Sequence, residues 1–176
     1  MEYLYLGKIV STHGIKGEIR LLLNDFFIYD ILDNKFLPNH EIVNLLFIRN
    51  KQIYIGKDKE LLTINSYRHH KIYEMLCFDG YDNINDILKY KGLKCYIKNN
   101  ILTENQIVLL ELIGYKIYFN NSNYGNVIDY QNNNGNIILE IDGEKKFFIP
   151  MNANFIESID KINKIIYTKN IEGLII

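Results

Sequence analysis

The sequence predicts a mainly β protein of two small domains, with one short helix near the end of the first. Its 176 residues suffice for one medium domain or two small ones. Apolar runs are short and broken by Asn, Asp, Lys or Gly, the texture of antiparallel strands joined by tight turns. Where apolar and polar residues alternate, as in 18–23 and 93–98, a strand with one buried face is expected. A polar stretch at 98–105 coincides with a change in charge sign. Residues 1–100 carry 14 Lys and Arg against 12 Asp and Glu (+2), and residues 101–176 carry 6 against 9 (−3). The domains are therefore placed at 1–100 and 101–176.

Residues 3–10 and 18–23 are the arms of an opening hairpin. Its tip holds Gly14 and Gly17, which supply the positive backbone angles of a sharp reversal, together with His13 and Lys16. In the second arm Ile19, Leu21 and Leu23 alternate with Glu18, Arg20 and Leu22. An aromatic patch follows at Phe26, Phe27 and Tyr29 and is expected to cap one end of the first domain. Apolar runs at 42–48, 53–55, 61–64 and 72–78 continue the strand texture, as a barrel or a sandwich.

The helix signals cluster at Asn83, an N-cap type, with Ile84, Ile87 and Leu88 at helical spacing, Asp86 in the first turn, and Lys89 and Lys91 before Gly92. In the second domain strands are expected at 107–110, 112–119, 124–130, 136–141, 144–149, 156–159 and 165–168. Asp142-Gly143 is a strong hairpin signal, and Pro150 ends the strand before it because it has no N–H to donate. The abundance of Asn, Ile, Lys and Tyr looks like the imprint of an A/T-rich coding sequence, so Asn-rich loops are not read as functional.

Composition narrows the function classes. Hydrophobic residues make up 48% and charged residues 23%, as in an ordinary globular protein. No apolar run approaches the roughly 20 residues that cross a bilayer. The first residues lead straight into a strand without a leader pattern, so a cytoplasmic protein is expected; a monomer is expected separately. Cys77 and Cys95 each sit in an apolar run and are expected as reduced core residues. The net charge of −1 disfavours bulk electrostatic coating of nucleic acid.

No phosphate-binding loop, nucleophile elbow or zinc pair occurs in the sequence. No catalytic residue, metal ligand or cofactor is assigned. His13 as a general base would need an orienting partner, and the nearest carboxylate in sequence is Glu18, across the glycine turn. His69 and His70 are adjacent on a strand and point to opposite faces, so one is expected to pack and the other to be exposed. Arg68, His70 and Lys71, with Lys16 and Arg20, form either a basic rim suited to phosphate oxygens or a solvated face.

Four segments occur in order: His13-Gly14-Ile15-Lys16-Gly17-Glu18; Arg68 through Lys71 to Phe78-Asp79-Gly80-Tyr81; Glu111-Leu112-Ile113-Gly114; and Gly125-Asn126-Val127-Ile128-Asp129, leading to Phe147-Phe148-Ile149-Pro150. In this order they resemble the RimM family of bacterial 30S maturation proteins. The resemblance implies a translation-factor-like N-terminal β-barrel and a PRC-type C-terminal β-barrel. It also implies a non-catalytic assembly factor for the 30S head, binding small-subunit ribosomal protein number nineteen and nearby 16S rRNA. The family often carries paired tyrosines just before the acidic-Leu-Ile-Gly segment, implicated in ribosome contact. This chain has Val108-Leu109-Leu110 there, so Leu109 and Leu110 would make apolar contact instead. His13, Lys16, Arg20, Arg68, His70, Lys71, Leu109 and Leu110 are thus the candidate partner- or RNA-binding residues. The rival reading is a free-standing RNA-binding β-barrel acting on loose RNA.

Overall fold

The computed structural model describes residues 2–24 and 27–175. The chain forms two compact units: Met1–Phe26 with Pro38–Thr103, and Phe27–Leu37 with Glu104–Ile176. A single cut at residue 100 leaves Phe27–Leu37 with the first unit, whereas in the structure this segment packs into the second.

In the first unit six strands close into a barrel in the order β1-β2-β7-β6-β5-β8. They are β1 (Tyr3–His13), β2 (Glu18–Leu23), β5 (Gln52–Ile55), β6 (Glu60–His70), β7 (Tyr73–Phe78) and β8 (Lys94–Lys98). Leu6, Ile9, Ile19, Leu21, Ile53, Ile55, Leu76 and Ile97 are among the side chains buried in its core. Closure brings backbones close together. A Cβ on Gly7 would lie 2.2 Å from the Leu22 carbonyl oxygen, so β1 passes β2 there only as glycine. Burial pushes the Cys95 thiol up to about 12, and it packs as a neutral apolar group.

The helix read at Asn83 is present as α2 (Ile84–Ile87), followed by a 3₁₀ turn, Leu88–Tyr90. The Asn83 side chain accepts from the Asn85 amide at 2.9 Å. The run at 42–48 is not a strand. It lies in α1 (Asn39–Val43) and the π-helical turn Asn44–Arg49. Pro38 starts this segment: its carbonyl accepts from the Glu41 and Ile42 amides, and proline lacks only a donor that a helix start leaves unpaired anyway. Ile42 and Val43 are both buried although adjacent, which a half-buried strand does not allow.

The second unit has two sheets. A three-stranded one runs β4-β3-β9, from β3 (Ile28–Asp30), β4 (Lys35–Phe36) and β9 (Gln106–Val108). A six-stranded one runs β13-β12-β11-β10-β15-β14. Its members are β10 (Lys116–Phe119), β11 (Ser122–Asn133), β12 (Asn136–Asp142), β13 (Phe147–Pro150), β14 (Ile156–Asp160) and β15 (Ile165–Thr168). Residues from both sheets share one core that includes Tyr29, Ile107, Leu112, Ile117, Leu139 and Ile166. Leu109–Leu112 is a 3₁₀ turn, so the strand expected over 112–119 begins only at Lys116. Phe27 and Tyr29 do not cap the barrel: Tyr29 is fully buried in the second core, with Phe27 packed against it. Phe26 lies outside the described residues.

Candidate functional site

The opening hairpin sets up the candidate surface. His13 pairs with Glu18 across the β1–β2 ladder, and residues 14–17 turn between them. Gly17 has φ +79°, and a Cβ there would lie 2.5 Å from the Tyr81 carbonyl oxygen. The tip is further tied down by the Ile84 amide, which donates to the Ile15 carbonyl at 3.1 Å. The loop is thereby held against the segment leading into α2, with Ile15 and Lys16 exposed.

Ladder registers determine which side chains share the outer wall. Glu18 and Arg20 alternate with the buried Ile19 and Leu21, and Arg20 pairs with Met75 of β7, which in turn pairs with Arg68 of β6. Two residue pairs further along, and so on the same face, His70 pairs with Tyr73. His13, Arg20, Arg68 and His70 therefore lie on one outer face. Lys71 turns the β6–β7 hairpin at φ +57° and is exposed. Its left-handed conformation also explains why Ile72, read as the start of a strand, is an exposed turn residue.

This face is internally paired. Arg68 donates from Nε and Nη2 to the two carboxylate oxygens of Glu18, both at 2.8 Å, a bidentate clamp between β6 and β2. That bond raises the Arg68 guanidinium further. Arg20 Nη2 lies 2.8 Å from His13 Nδ1 and sits over the Tyr73 ring at 5.9 Å. A guanidinium can only donate, so Nδ1 accepts and the neutral ring carries its proton on Nε2. The orienting partner of His13 is thus a cation and not Glu18. Lys16 and Lys71 make no ion pair among the described residues and are the cationic groups left to face outward, beside the exposed His70.

His69 and His70 are both exposed, so neither packs as expected of one of them. His69 Nδ1 instead meets Oε1 of the buried Glu74 at 2.9 Å. Glu74 also raises the Tyr67 hydroxyl through a hydrogen bond, after burial, the larger cause. Among the described residues no group of three His, Cys, Asp or Glu is placed to hold a metal ion. In the second unit Leu109 is buried in the core, and only Leu110, 47% exposed, offers side-chain surface.

The model for the RimM N-terminal domain matches residues 4–102. A ribosome maturation factor RimM from Staphylococcus haemolyticus is 36% identical over 175 residues, covering 97% of each chain. This chain belongs to the RimM family. A Staphylococcus aureus ribosome maturation factor RimM is 33% identical with the same coverage. A solved structure, described as a putative 16S ribosomal RNA processing protein RimM from Pseudomonas aeruginosa, is 19% identical. It covers 95% of this chain and 96% of that one, at a TM-score of 0.43.

In this RimM-family chain the His-Gly-Ile-Lys-Gly-Glu loop and the Arg68–Lys71 segment, 50 residues apart at their Glu18–Arg68 contact, form one surface. Sequence reasoning placed Glu18 on the face of Arg20 but did not pair it with Arg68, and it missed Tyr73 as a member of that surface. A carboxylate on the outward face of a hairpin arm, facing a basic segment of unknown register, carries no local signal of its partner.

Proposed function

We propose that this chain is a ribosome maturation factor that binds the immature 30S head in the cytoplasm as a monomer, without covalent chemistry. The carrying observation is its similarity along nearly all of its length to relatives named ribosome maturation factor RimM. The division of charge supports a two-sided mode of binding. The first unit holds 13 Lys and Arg against 10 Asp and Glu (+3), and the second 7 against 11 (−4). The basic unit suits 16S rRNA, through His13, Lys16, Arg20, Arg68, His70 and Lys71. The acidic unit suits a basic ribosomal protein, number nineteen of the small-subunit set, with Leu110 as an apolar contact.

In this reading the chain stabilises one arrangement of the head by binding it preferentially, and leaves once the mature arrangement no longer offers that difference in affinity. The test is co-sedimentation of the full chain with immature 30S particles and with mature 70S ribosomes. Retention on the immature particle alone is the expected result, and equal retention on both overturns it.

A further inference from the structure

The barrel carries a second surface, away from the hairpin tips, on β5, β8 and the first half of β1; of its rings Tyr3, Tyr5 and Tyr96 are half-buried and open to an incoming base, and Tyr54 is buried. Tyr5, Tyr96 and Tyr54 face one another in a row across these three strands. In the next row Tyr3 pairs with Lys98, and on the other side Lys8 pairs with Lys94. A register shift between Tyr5 and Gly7 makes this possible: Leu6 and Gly7 are both buried in succession, so Lys8 returns to the outside beside Lys94.

Rings and ammonium groups interleave throughout. Tyr3 meets Tyr54 edge-on at 5.0 Å, and Tyr5 and Tyr96 lie 5.8 Å apart. Lys59, from the β5–β6 turn, sits 3.7 Å above the Tyr96 ring, Lys94 5.3 Å from Tyr5, and Lys98 5.5 Å from Tyr54. The three strands contain no Asp or Glu. Among the described residues Lys8, Lys59, Lys94 and Lys98 form no ion pair. Glu60, the nearest carboxylate after the turn, is taken by the Tyr90 hydroxyl at 2.7 Å and by Lys89.

We propose that this wall binds a single-stranded segment of RNA, bases against the tyrosine rings and phosphates against the lysines. Four cations that no carboxylate pairs among the described residues, although Asp58 shares the turn with Lys59 and Glu2 precedes Tyr3, call for a polyanion, and rings interleaved with them call for one that brings flat π faces as well. An acidic peptide matches only the first requirement, and a duplex keeps its base faces covered. The lysines lie over the rings while the wall is empty, Lys59 also donating to the Gly56 carbonyl at 3.4 Å, and exchange these contacts for phosphate when bases stack. The inference deepens the reading above by naming a surface that meets RNA. It rests on that reading for its biological setting only.

The test is fluorescence anisotropy of the full chain with an unstructured oligoribonucleotide of about 10 nucleotides, within the span such surfaces cover. The same strand in a duplex and a poly-glutamate competitor complete the set. The variant Lys59→Gln/Lys94→Gln/Lys98→Gln removes three charges together with their contacts to the rings. It is expected to bind the single strand at least about tenfold more weakly, with a shallower dependence on log salt. Tyr96→Leu is expected to weaken binding about tenfold with the salt dependence unchanged, since it removes stacking and no charge. Circular dichroism melts establish that each variant is folded.

Wild-type affinity in the lysine variant overturns the inference, as does equal affinity for the duplex. Loss in the lysine variant with none in Tyr96→Leu, together with efficient displacement by poly-glutamate, overturns it in favour of an acidic protein partner. Particle co-sedimentation is read separately. A wild-type chain that selects immature 30S but ignores the oligonucleotide sinks this inference alone. One that binds the oligonucleotide through the wall but shows no particle preference sinks the reading above alone.

Discussion

Gly17 is the residue on which the presentation of the hairpin tip depends. It combines a left-handed backbone with a close approach: at φ +79° a Cβ would stand 2.5 Å from the Tyr81 carbonyl oxygen, and 3.3 Å from that of Asn83. Gly14, three residues earlier, has φ +67° with open space around it. Alanine at either site incurs the left-handed penalty of about 1–2 kcal/mol. At Gly17 the 81–83 segment must also be displaced, a further overpacking cost of about 1–3 kcal/mol. Gly17→Ala is therefore expected to destabilise the first unit by about 2–5 kcal/mol and Gly14→Ala by about 1–2 kcal/mol. Urea unfolding of the two variants beside the wild type measures the difference, and equal losses would refute the close-approach account. The two glycines were legible in the sequence as a turn. Which of them is packed was not, because the packing partner lies more than sixty positions away.

At the scale of elements, α2 and the segment after Pro38 show when a helix can be read from its letters. Asn83 caps α2 through its side chain, and Asp86 stands in the first turn. Both signals act within one helical turn and so appear locally in the sequence. Asn83→Ala removes the acceptor of the Asn85 amide and is expected to cost about 1 kcal/mol, with Asn83→Asp close to neutral. Thermal denaturation of both variants is the measurement; equal losses would mean that the side-chain cap contributes nothing. The run at 42–48 has no such period, since adjacent apolar residues occupy it and burial in the barrel unit decides its conformation. Turn positions were partly hidden for a related reason. Asn34, Lys51, Lys71 and Lys164 take left-handed conformations without the glycine that would have announced them. Asn120, Asn121, Asn134 and Asn170 are left-handed as well, a conformation asparagine tolerates better than most residues.

For the molecule as a whole, the informative segment is Phe27–Leu37, which follows β2 in sequence and belongs to the second unit in space. Ile28, Tyr29 and Asp30 pair with Val108, Ile107 and Gln106, and Ile28 and Tyr29 are fully buried. The Tyr29 hydroxyl reaches Asn34 Oδ1, and Asn34 Nδ2 donates to the Ile156 carbonyl at 2.6 Å, which ties the segment to β14. No sequence pattern marks a strand as belonging to a partner strand some eighty residues on, which is why a boundary drawn from charge and polarity kept it with the barrel. Burial of a large apolar side chain contributes about 1.5–3 kcal/mol, so losing Tyr29 alone removes about 1.5–3 kcal/mol from a unit whose whole stability is of order 5–15 kcal/mol. The loss also leaves the β9 edge unpaired. A fragment of residues 101–176 is therefore expected to unfold without a cooperative transition, or at much lower urea than the same unit in the full chain. Residues 27–37 joined through a short flexible linker to residues 104–176 are expected to restore a single sharp transition. If the two fragments unfold alike, the early segment does not contribute to the second core. If they differ as expected, binding of a basic ribosomal protein by the acidic unit has to be measured on the fragment that carries both pieces.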